Sequence, residues 1–408
     1  MKFKYVCSDC GREYDSTDIL YRCPECSDTS GTDKDEMQKG NLITMLDKEY
    51  LVSLKDRKSV TPSDFSPYPI PDITSYPVGN TPLIQPKRLI GETGYTGLLL
   101  KNDGANPSGS FKDRASQLVA AQAIHFGENT IALASTGNAG SAMACAGAAY
   151  GLDIVLFVPE TAPKAKLLQS VLYGAKVIPV KGTYDDAFAL SIEYSKIFGG
   201  INRNTAFNPM TIEGKKSVSI ELYNQLGGKA PDVVYVPVGD GVIYSGVYKG
   251  FFDLKEAGLI EKIPKIICAQ SEKSNAISRA WSTGELKTIP SASTRADSIS
   301  VASPANGRMA VRYINESEGW ATEVRDEAIL AAQLDLAKSA GVFIEPAAAA
   351  AWAAFKKDTK ENKISKNDSI IILLTGTGFK DLAAVETTVT IPPSIEPTME
   401  AVRKLFNT

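Results

Sequence analysis

From about residue 80 onward, short apolar runs alternate along the chain with segments of helical periodicity. The runs are rich in Val, Ile and Leu, as in strands that are buried on both faces of a parallel sheet. The predicted strands are 96–103, 129–136, 153–160, 175–182, 232–240, 265–272 and 369–378. Helical patterns lie at 111–127, 138–151, 164–174 and 183–199. The alternation predicts a doubly wound α/β architecture, in which ligands bind beyond the carboxyl ends of the strands.

The first 80 residues lack this alternation. Residues 1–35 contain two C-x-x-C pairs, and six prolines lie between Pro62 and Pro82. Such proline density excludes regular helix and favours an extended segment that packs over another surface. We therefore predict a cysteine-rich ribbon at 1–35, followed by a proline-rich arm at 36–80.

The two C-x-x-C pairs consist of Cys7 with Cys10 and Cys23 with Cys26, separated by twelve residues. Two such tight pairs deliver four thiolates to a tetrahedral zinc ion. Redox dithiols are the alternative, but the βαβ pattern that accompanies them is missing around these residues. Because four thiolates leave no open coordination position, the predicted zinc is structural.

Composition narrows the classes of function. The 408 residues carry a formal net charge of -3, so no broad basic field is expected to hold nucleic acid or an anionic membrane. A single histidine, His125, weighs against a Ser-His-Asp triad or a His-ligated catalytic metal. Neither a signal peptide nor an apolar stretch of about 18 residues occurs, and we expect a cytoplasmic protein.

The first loop after a predicted strand carries Lys112, in the stretch NPSGSFKDRAS at 106–116. There the lysine falls in the first turn of a predicted helix, where the helix dipole and a neighbouring cation lower its pKa. A lysine with a lowered pKa is suited to form a Schiff base. A solvated surface lysine is the alternative.

The loop that follows the next predicted strand reads Ser135-Thr136-Gly137-Asn138 and opens a helix of small residues. Free backbone N–H groups and two hydroxyls at such a helix start suit a carboxylate or a phosphate. Asn138 adds an amide donor that fits an aromatic oxygen. A helix N-cap without any ligand is the alternative.

Two later loops complete the pattern. Gly239 and Gly241 allow close approach of the backbone before a helix, as a phosphate cradle requires, and no lysine or arginine lies inside the turn. That absence weighs against hydrolysis of nucleoside triphosphates. Thr375 ends an apolar strand, and its neutral hydroxyl suits a pyridine nitrogen; a plain strand-ending turn is the alternative.

The motifs NPSGSFKDR, STGNA, VPVGDG and LLTGTGFKD, in this order, resemble those of fold-type-II enzymes that use pyridoxal 5'-phosphate. This tryptophan synthase β-like class includes the threonine synthase family, which the chain resembles most over 76–388. The resemblance implies two doubly wound open sheets, with a large cofactor-binding domain at 81–112 and 206–408 and a small domain at 113–205. A zinc ribbon followed by an arm also occurs in some threonine synthases, and the family suggests a homodimer.

The same resemblance implies roles for single residues. Lys112 would form the Schiff base with the cofactor, and Phe111 would lie against its ring. Asn138 would bind the 3'-oxygen, and Thr375 would face the pyridine nitrogen. The turn predicted to cradle the phosphate comprises Gly239, Asp240, Gly241, Val242 and Ile243. The residues predicted to bind substrate are Ser135, Thr136, Gly137 and Ala139.

The implied reaction converts O-phospho-L-homoserine and water to L-threonine and phosphate. Two departures from the family favour an alternative, β-elimination or β-replacement on O-phosphoserine or another serine- or threonine-type substrate. Ala139 stands where the family usually has threonine, and Thr211 stands where it has an arginine that faces the substrate phosphate. The cations that we consider as replacements for this arginine are Arg114, Lys164, Lys166, Lys215, Arg295 and Arg308.

A third hypothesis is a catalytically silent interaction protein built around the ribbon. Ribbons of this type often bind nucleic acid, but acidic residues surround these cysteines and oppose phosphate contact. The intact Lys112 also weighs against a silent fold.

Overall fold

The computed structural model describes residues 3–27, 35–57, 59–386 and 388–406. Its strands form three sheets. In chain order the strands are β1 Phe3–Cys7, β2 Glu13–Asp15, β3 Leu42–Leu46, β4 Leu83–Ile84, β5 Leu98–Asn102, β6 Thr130–Ala134, β7 Asp153–Pro159, β8 Lys176–Val180, β9 Ile201–Asn202, β10 Val233–Pro237, β11 Lys265–Ser271, β12 Ala321–Val324 and β13 Ile370–Leu374.

Helices connect these strands and cover the sheets. The α-helices are α1 Lys48–Ser53, α2 Lys87–Thr93, α3 Lys112–Phe126, α4 Asn138–Tyr150, α5 Lys164–Leu172, α6 Tyr184–Phe198, α7 Met210–Glu213, α8 Ser217–Gln225, α9 Val242–Glu256, α10 Ala276–Thr283, α11 Gly307–Glu316, α12 Asp326–Ala340, α13 Pro346–Lys360, α14 Leu382–Glu386 and α15 Met399–Phe406. Within the described ranges, no helix is both long enough and apolar enough to cross a bilayer.

The N-terminal sheet is antiparallel, with β1 between β2 and β3. Alternate residues of β1, namely Phe3, Tyr5 and Cys7, are buried, as the two-residue period of a strand with one covered face requires. Strand β3 lies inside the range 36–80 that the sequence predicts as the arm, so the ribbon sheet continues past residue 35.

The proline-rich segment 59–82 contains a single-turn 3-10 helix at Pro62–Phe65 and otherwise runs in irregular conformation. Phe65 and Tyr68 are buried, so the segment packs closely on the protein. Further along it, the Tyr76 hydroxyl donates a hydrogen bond to the buried carboxylate of Asp113, one residue after Lys112. This contact ties the arm to the start of α3.

The large sheet has the order β12-β11-β10-β13-β5-β4, and all neighbours are parallel except the edge pair β4 and β5. The smaller sheet has the order β8-β7-β6-β9 and is parallel throughout. These two sheets, with helices between their strands, confirm the predicted fold class. Every strand predicted from the sequence is present, whereas β4, β9 and β12 lack a clear apolar run and escape sequence reasoning.

The alanine-rich helix α13 lies against the large sheet. Its residues 347–351 are buried alanines, whose small side chains let the helix approach the strands closely. Strands β5, β10 and β13 are adjacent and parallel, so their carboxyl ends meet at one edge of the sheet. Three of the four loops that the sequence singles out for chemistry begin at this edge, and the fourth, at 135–138, follows β6 of the smaller sheet.

Candidate active site

A narrow cavity lies at this carboxyl edge. All four loops selected from the sequence contribute to its wall, although they are far apart along the chain. The lining residues are Lys112, Asn138, Pro237, Val238, Gly239, Asp240, Gly241, Ile243, Ser298, Ile299, Glu345, Ala347 and Thr375. The fold therefore brings the predicted amine, amide, hydroxyl and glycine turn to one cavity.

Lys112 is the first residue of α3 and is held by the segment that precedes it. The buried Phe111 caps the helix start, and its backbone N–H donates to the carbonyl of Thr375 over 2.8 Å. This bond joins the turn after β5 to the end of β13. The bond therefore holds the backbone at Lys112 next to Thr375.

The charge state of Lys112 is set by its surroundings. Burial lowers the pKa of Lys112 below its ordinary value, the carboxylates of Asp240 and Glu345 act in the opposite direction, and the guanidinium of Arg203 adds to the lowering. The net lowering favours a neutral amine, which is the form that acts as a nucleophile or as a base.

Two positions of the turn at 239–243 require glycine. Gly241 has a φ of 88°, and a Cβ on Gly239 would lie 2.9 Å from the Cα of Ile299. Helix α9 starts at Val242, so the amides of its first turn lack intrahelical partners. The Val242 N–H donates to the carboxylate of Asp240 over 3.0 Å, which places a negative charge beside the turn.

Sequence reasoning missed Glu345, which lines the same cavity. Asn138 donates from its amide nitrogen to both carboxylate oxygens of Glu345, over 3.2 and 3.1 Å, and the Ser298 hydroxyl donates over 3.0 Å. Burial raises the pKa of Glu345, and the two donors oppose this rise. In the sequence, Glu345 directly follows a short apolar run, which could have marked it as a candidate site residue. The alanine-rich stretch that follows drew attention to helix packing instead.

The remaining predicted residues lie beside the cavity and not in its wall. The Ser135 hydroxyl accepts from the amides of Gly137 and Gly140, over 3.3 and 3.0 Å, so it stabilises the turn itself. Gly137 lines a neighbouring cavity, to which Asn138 and Glu345 also contribute. Thr136, Ala139, Phe111 and Val242 line neither of these two cavities.

The donor set of the cavity fits pyridoxal phosphate. Lys112 offers an amine to an aldehyde, and the glycine turn before α9 offers backbone amides to a phosphate. Asn138 offers an amide to a phenolic oxygen, and Thr375 offers a neutral hydroxyl to a pyridine nitrogen. A side chain on Gly239 would clash with the backbone of Ile299, so this turn packs tightly against the segment that forms another wall of the cavity.

The four N-terminal cysteines form a compact cluster. The sulfur atoms of Cys7, Cys10, Cys23 and Cys26 all lie within 4.8 Å of one another, and those of Cys10 and Cys23 are 3.8 Å apart. A tetrahedral zinc with bonds of about 2.3 Å requires sulfurs separated by roughly 3.8 Å. The cluster therefore has the ligand type and the spacing of a four-thiolate metal site.

Two buried asparagines connect the ribbon to the glycine turn. The Asn41 amide donates to the side-chain oxygen of Asn306 over 2.8 Å. Asn306 in turn donates to the Ser245 hydroxyl over 2.6 Å and to the carbonyl of Gly241 over 3.3 Å. On the ribbon side, the carbonyl of Asn41 accepts from Ser8, between two of the cysteines. The cysteine cluster is thus linked to the turn through a short chain of hydrogen bonds.

Comparison with known proteins defines the class. The family described as "Pyridoxal-phosphate dependent enzyme" matches residues 74–376. This match places the chain among the pyridoxal-phosphate-dependent enzymes. The threonine synthase of Methanosarcina acetivorans is 32% identical over 98% of this chain and 97% of its own length, and that of Methanocaldococcus jannaschii is 34% identical over 98% of both. The chain belongs to the threonine synthase family.

Solved structures share the fold. The processed form of threonine deaminase isoform 2 from Solanum lycopersicum has a TM-score of 0.67 at 22% identity, over 78% of this chain and 90% of its own. An L-serine ammonia-lyase from Rhizomucor miehei has a TM-score of 0.66 at 21% identity, over 76% of this chain and 97% of its own. At these identities the likeness concerns the fold alone.

Proposed function

We propose that the protein converts O-phospho-L-homoserine and water to L-threonine and phosphate. The observation that carries the proposal is the single cavity in which Lys112 faces the glycine turn, Asn138 and Thr375. Similarity to threonine synthases along nearly the whole chain supports the choice of reaction within the class.

We assign a separate role in cofactor binding to each of the predicted residues of the cavity. Pyridoxal phosphate, when bound, supplies an electron sink for negative charge that develops on the substrate carbons. Lys112 would hold the cofactor, the turn 239–243 would bind its phosphate, and Asn138 and Thr375 would orient its ring. Burial of Lys112 keeps its amine available in the neutral form.

Lys112 is also the group that we assign to proton transfer. In the overall change, Cα and Cβ each give up a proton, phosphate leaves from Cγ, water adds its oxygen at Cβ, and protons return to Cγ and Cα. One amine that reaches three adjacent carbons can serve these transfers. We assign the substrate carboxylate to the start of α4, at Ser135, Thr136, Gly137 and Ala139, where the helix dipole favours an anion.

A direct assay tests this function. We expect phosphate release from O-phospho-L-homoserine with L-threonine as the amino acid product, at a kcat/KM at least about tenfold above that for O-phospho-L-serine. Chromatography of the product and a colorimetric phosphate assay measure both. Pyruvate formed from O-phospho-L-serine, with no threonine from the homoserine ester, would contradict the proposal.

That contrary result would favour the second candidate, β-elimination or β-replacement on a serine-type substrate. Its structural support is Thr211, which replaces the family's arginine. The Thr211 hydroxyl donates to the carbonyl of Asn208 over 2.7 Å and accepts from the amide of Ala206 over 3.2 Å. It is therefore engaged in the local turn and supplies no charge to a substrate phosphate.

We infer that the cysteine cluster binds a structural zinc ion. Elemental analysis is expected to find about one zinc per chain, and Cys10→Ser is expected to lose it.

Because the ribbon reaches the glycine turn through Asn41 and Asn306, loss of zinc should also weaken cofactor binding, by roughly tenfold. Equilibrium dialysis against pyridoxal phosphate measures this change. Cys145→Ser, outside the cluster, is the control; an unchanged cofactor affinity in Cys10→Ser would oppose the coupling.

We propose the division into a ribbon at 1–35, an arm at 36–80, a large domain at 81–112 and 206–408, and a small domain at 113–205. Two separate sheets, one mostly and one entirely parallel, support the last two units.

We also propose a homodimer in the cytoplasm. Support for a second copy comes from the C-terminal segment, where Ile391, Met399 and Phe406 expose apolar side chains that a partner subunit would cover.

A further inference from the structure

Two cations lie fully buried near the active site, and neither forms an ion pair with a carboxylate of the described residues. Arg203 is 0% exposed, and among the described residues its Nε and Nη2 have no hydrogen-bond partner; only Nη1 donates, to the Thr205 hydroxyl over 2.9 Å. Lys215 is also 0% exposed, and its Nζ has no partner there. An unpaired buried cation strongly destabilises the folded protein. The presence of two such cations therefore suggests that they bind a ligand.

The neighbouring lysine shows what a structural buried cation looks like in this chain. The ammonium of Lys216 contacts the carboxylates of Glu213 and Asp253, the latter over 2.7 Å. Lys249 contacts Asp253 as well. Lys215, one residue away and equally buried, has no such carboxylate. The difference indicates that its partner is not part of the described chain.

Lys215 is wedged between the two helices that frame the cavity. A Cβ on Gly246 would lie 2.6 Å from the Cβ of Lys215, and Gly246 is on the first turns of α9. A Cβ on Gly214 would lie 2.5 Å from the carbonyl oxygen of Arg114, in the first turn of α3. Lys215 therefore packs against α9 and its neighbour Gly214 against α3, which places Lys215 behind the starts of both helices.

Arg203 approaches the same place from the smaller sheet. It directly follows β9, and its backbone N–H donates to the carbonyl of Ala132 in β6 over 2.9 Å. Strand β6 leads into the loop at Ser135, so Arg203 lies at the carboxyl edge beside that loop. Two elements that are separate in the fold thus deliver one cation each.

The carboxylates of this region act on the two cations from a distance, and within the described residues none forms an ion pair with them. Asp240 acts electrostatically on Lys112, Arg203 and Lys215, Glu345 acts on Lys112, and Asp113 acts on Arg203. Burial lowers the pKa of Lys215 well below its ordinary value, and the nearby Lys112 and Arg203 add to this effect more than Asp240 offsets it. Burial likewise lowers the pKa of Arg203, to about 10. A dianion in direct contact would stabilise the charged forms of Arg203 and Lys215, whereas a neutral ligand would not.

We propose that Arg203 and Lys215 form a subsite for a phosphate monoester, taking over the charge that Thr211 does not supply. This deepens the function proposed above and rests on it for the identity of the substrate. Other cations have partners: Arg114 pairs with Asp103 and Glu221. Lys166 pairs with Asp297, and Arg308 with Asp9. The phosphate has two possible sources, the substrate and the cofactor.

The binding test uses inorganic phosphate with the holoenzyme, in which the cofactor's own phosphate site is filled. Calorimetry is expected to show that Arg203→Gln and Lys215→Met each weaken phosphate binding by about 10- to 100-fold, as for loss of a charge-assisted hydrogen bond. The dissociation constant of pyridoxal phosphate, measured by dialysis, stays within about threefold if the substrate is the source. A matching loss in cofactor affinity, with phosphate binding unchanged, assigns the subsite to the cofactor phosphate.

A stability measurement distinguishes a binding role for Lys215 from a purely structural one, because the two roles predict shifts of the urea midpoint in opposite directions. In phosphate-free buffer, Lys215→Met removes an unpaired charge and should raise the urea midpoint, whereas Lys216→Met breaks two ion pairs and should lower it. Added phosphate should stabilise the wild-type protein more than Lys215→Met. A lowered midpoint for Lys215→Met, or unchanged affinity for both phosphate and cofactor in both variants, overturns the proposal.

Because these measurements need no turnover, they separate the two claims. Intact phosphate binding in a protein that forms no threonine refutes the proposed reaction and leaves the subsite standing. Threonine formation with unaltered phosphate binding and unaltered KM in Arg203→Gln and Lys215→Met refutes the subsite and leaves the reaction standing.

Discussion

Lys112→Ala is expected to reduce phosphate release from O-phospho-L-homoserine by roughly a thousandfold or more, because it removes both the attachment point of the cofactor and the group that moves protons. The residue lines the cavity beside Asn138, Asp240 and Thr375, and it is the only lysine of the described residues to do so. The initial rate of phosphate release measures the effect.

Mass spectrometry after borohydride reduction supplies an independent readout. The wild-type protein is expected to carry a cofactor adduct on the peptide that contains Lys112, and Lys112→Ala is expected to carry none. Lys112→Arg keeps the charge but not the nucleophilic amine, so it should be equally inactive. Lys176→Ala, at an exposed position of β8, is the control and should retain activity. An adduct on any other lysine would refute the assignment.

Arg114→Ala is expected to have the largest effect on stability, a loss of about 3–5 kcal/mol, because it leaves two buried carboxylates without their main partner. The Arg114 guanidinium contacts Asp103 over 2.6 Å and Glu221 over 2.7 Å, and all three side chains are less than a tenth exposed. Lys101 adds a contact of 2.9 Å to Glu221. Urea unfolding measures the loss. Arg88→Ala, which breaks an exposed pair with Glu92, is the control and should leave the midpoint unchanged.

The pH dependence of stability gives a second readout for Arg114. Burial alone would raise the pKa of Glu221, but Arg114 and Lys101 outweigh it and lower the value to about 2, from an ordinary 4.5. The stabilisation is therefore present above pH 4.5 and is lost as the pH falls from 4.5 towards 2. In Arg114→Ala this loss should be much smaller. An unchanged acid profile would mean that Arg114 does not set the pKa of Glu221.

Sequence reasoning recovered the sheets and one wall of the cavity for a physical reason. Strands buried on both faces need continuous apolar runs, which stand out in the chain, and their carboxyl ends must meet at one edge. Lys112 and Thr375 follow neighbouring strands of the large sheet and consequently converge, and no tertiary information is required for that step. Asn138 follows β6 of the smaller sheet, so it reaches the same cavity only because the two sheets pack together.

The residues that sequence reasoning missed depend on tertiary contacts. Glu345 faces Asn138 only because α13 packs on the sheet, and Arg203 follows a two-residue strand that has no recognisable pattern. The pairing of Arg308 with Asp9 in the ribbon is likewise invisible in the sequence, where Arg308 is a plausible phosphate ligand. Charged residues reveal a function only when their partners, or the lack of partners, are known.

The order of the large sheet has a consequence for biosynthesis. Strand β5, directly before Lys112, pairs with β13 near the other end of the chain, whereas β6 to β9 find one another within a short stretch. A nascent polypeptide can therefore assemble its smaller sheet on the ribosome before β13 is synthesised, but β5 waits for β13 to emerge. Vitamin B6 would accordingly be captured only after that point, and products terminated before β13 would expose an unpaired apolar edge to quality-control proteases.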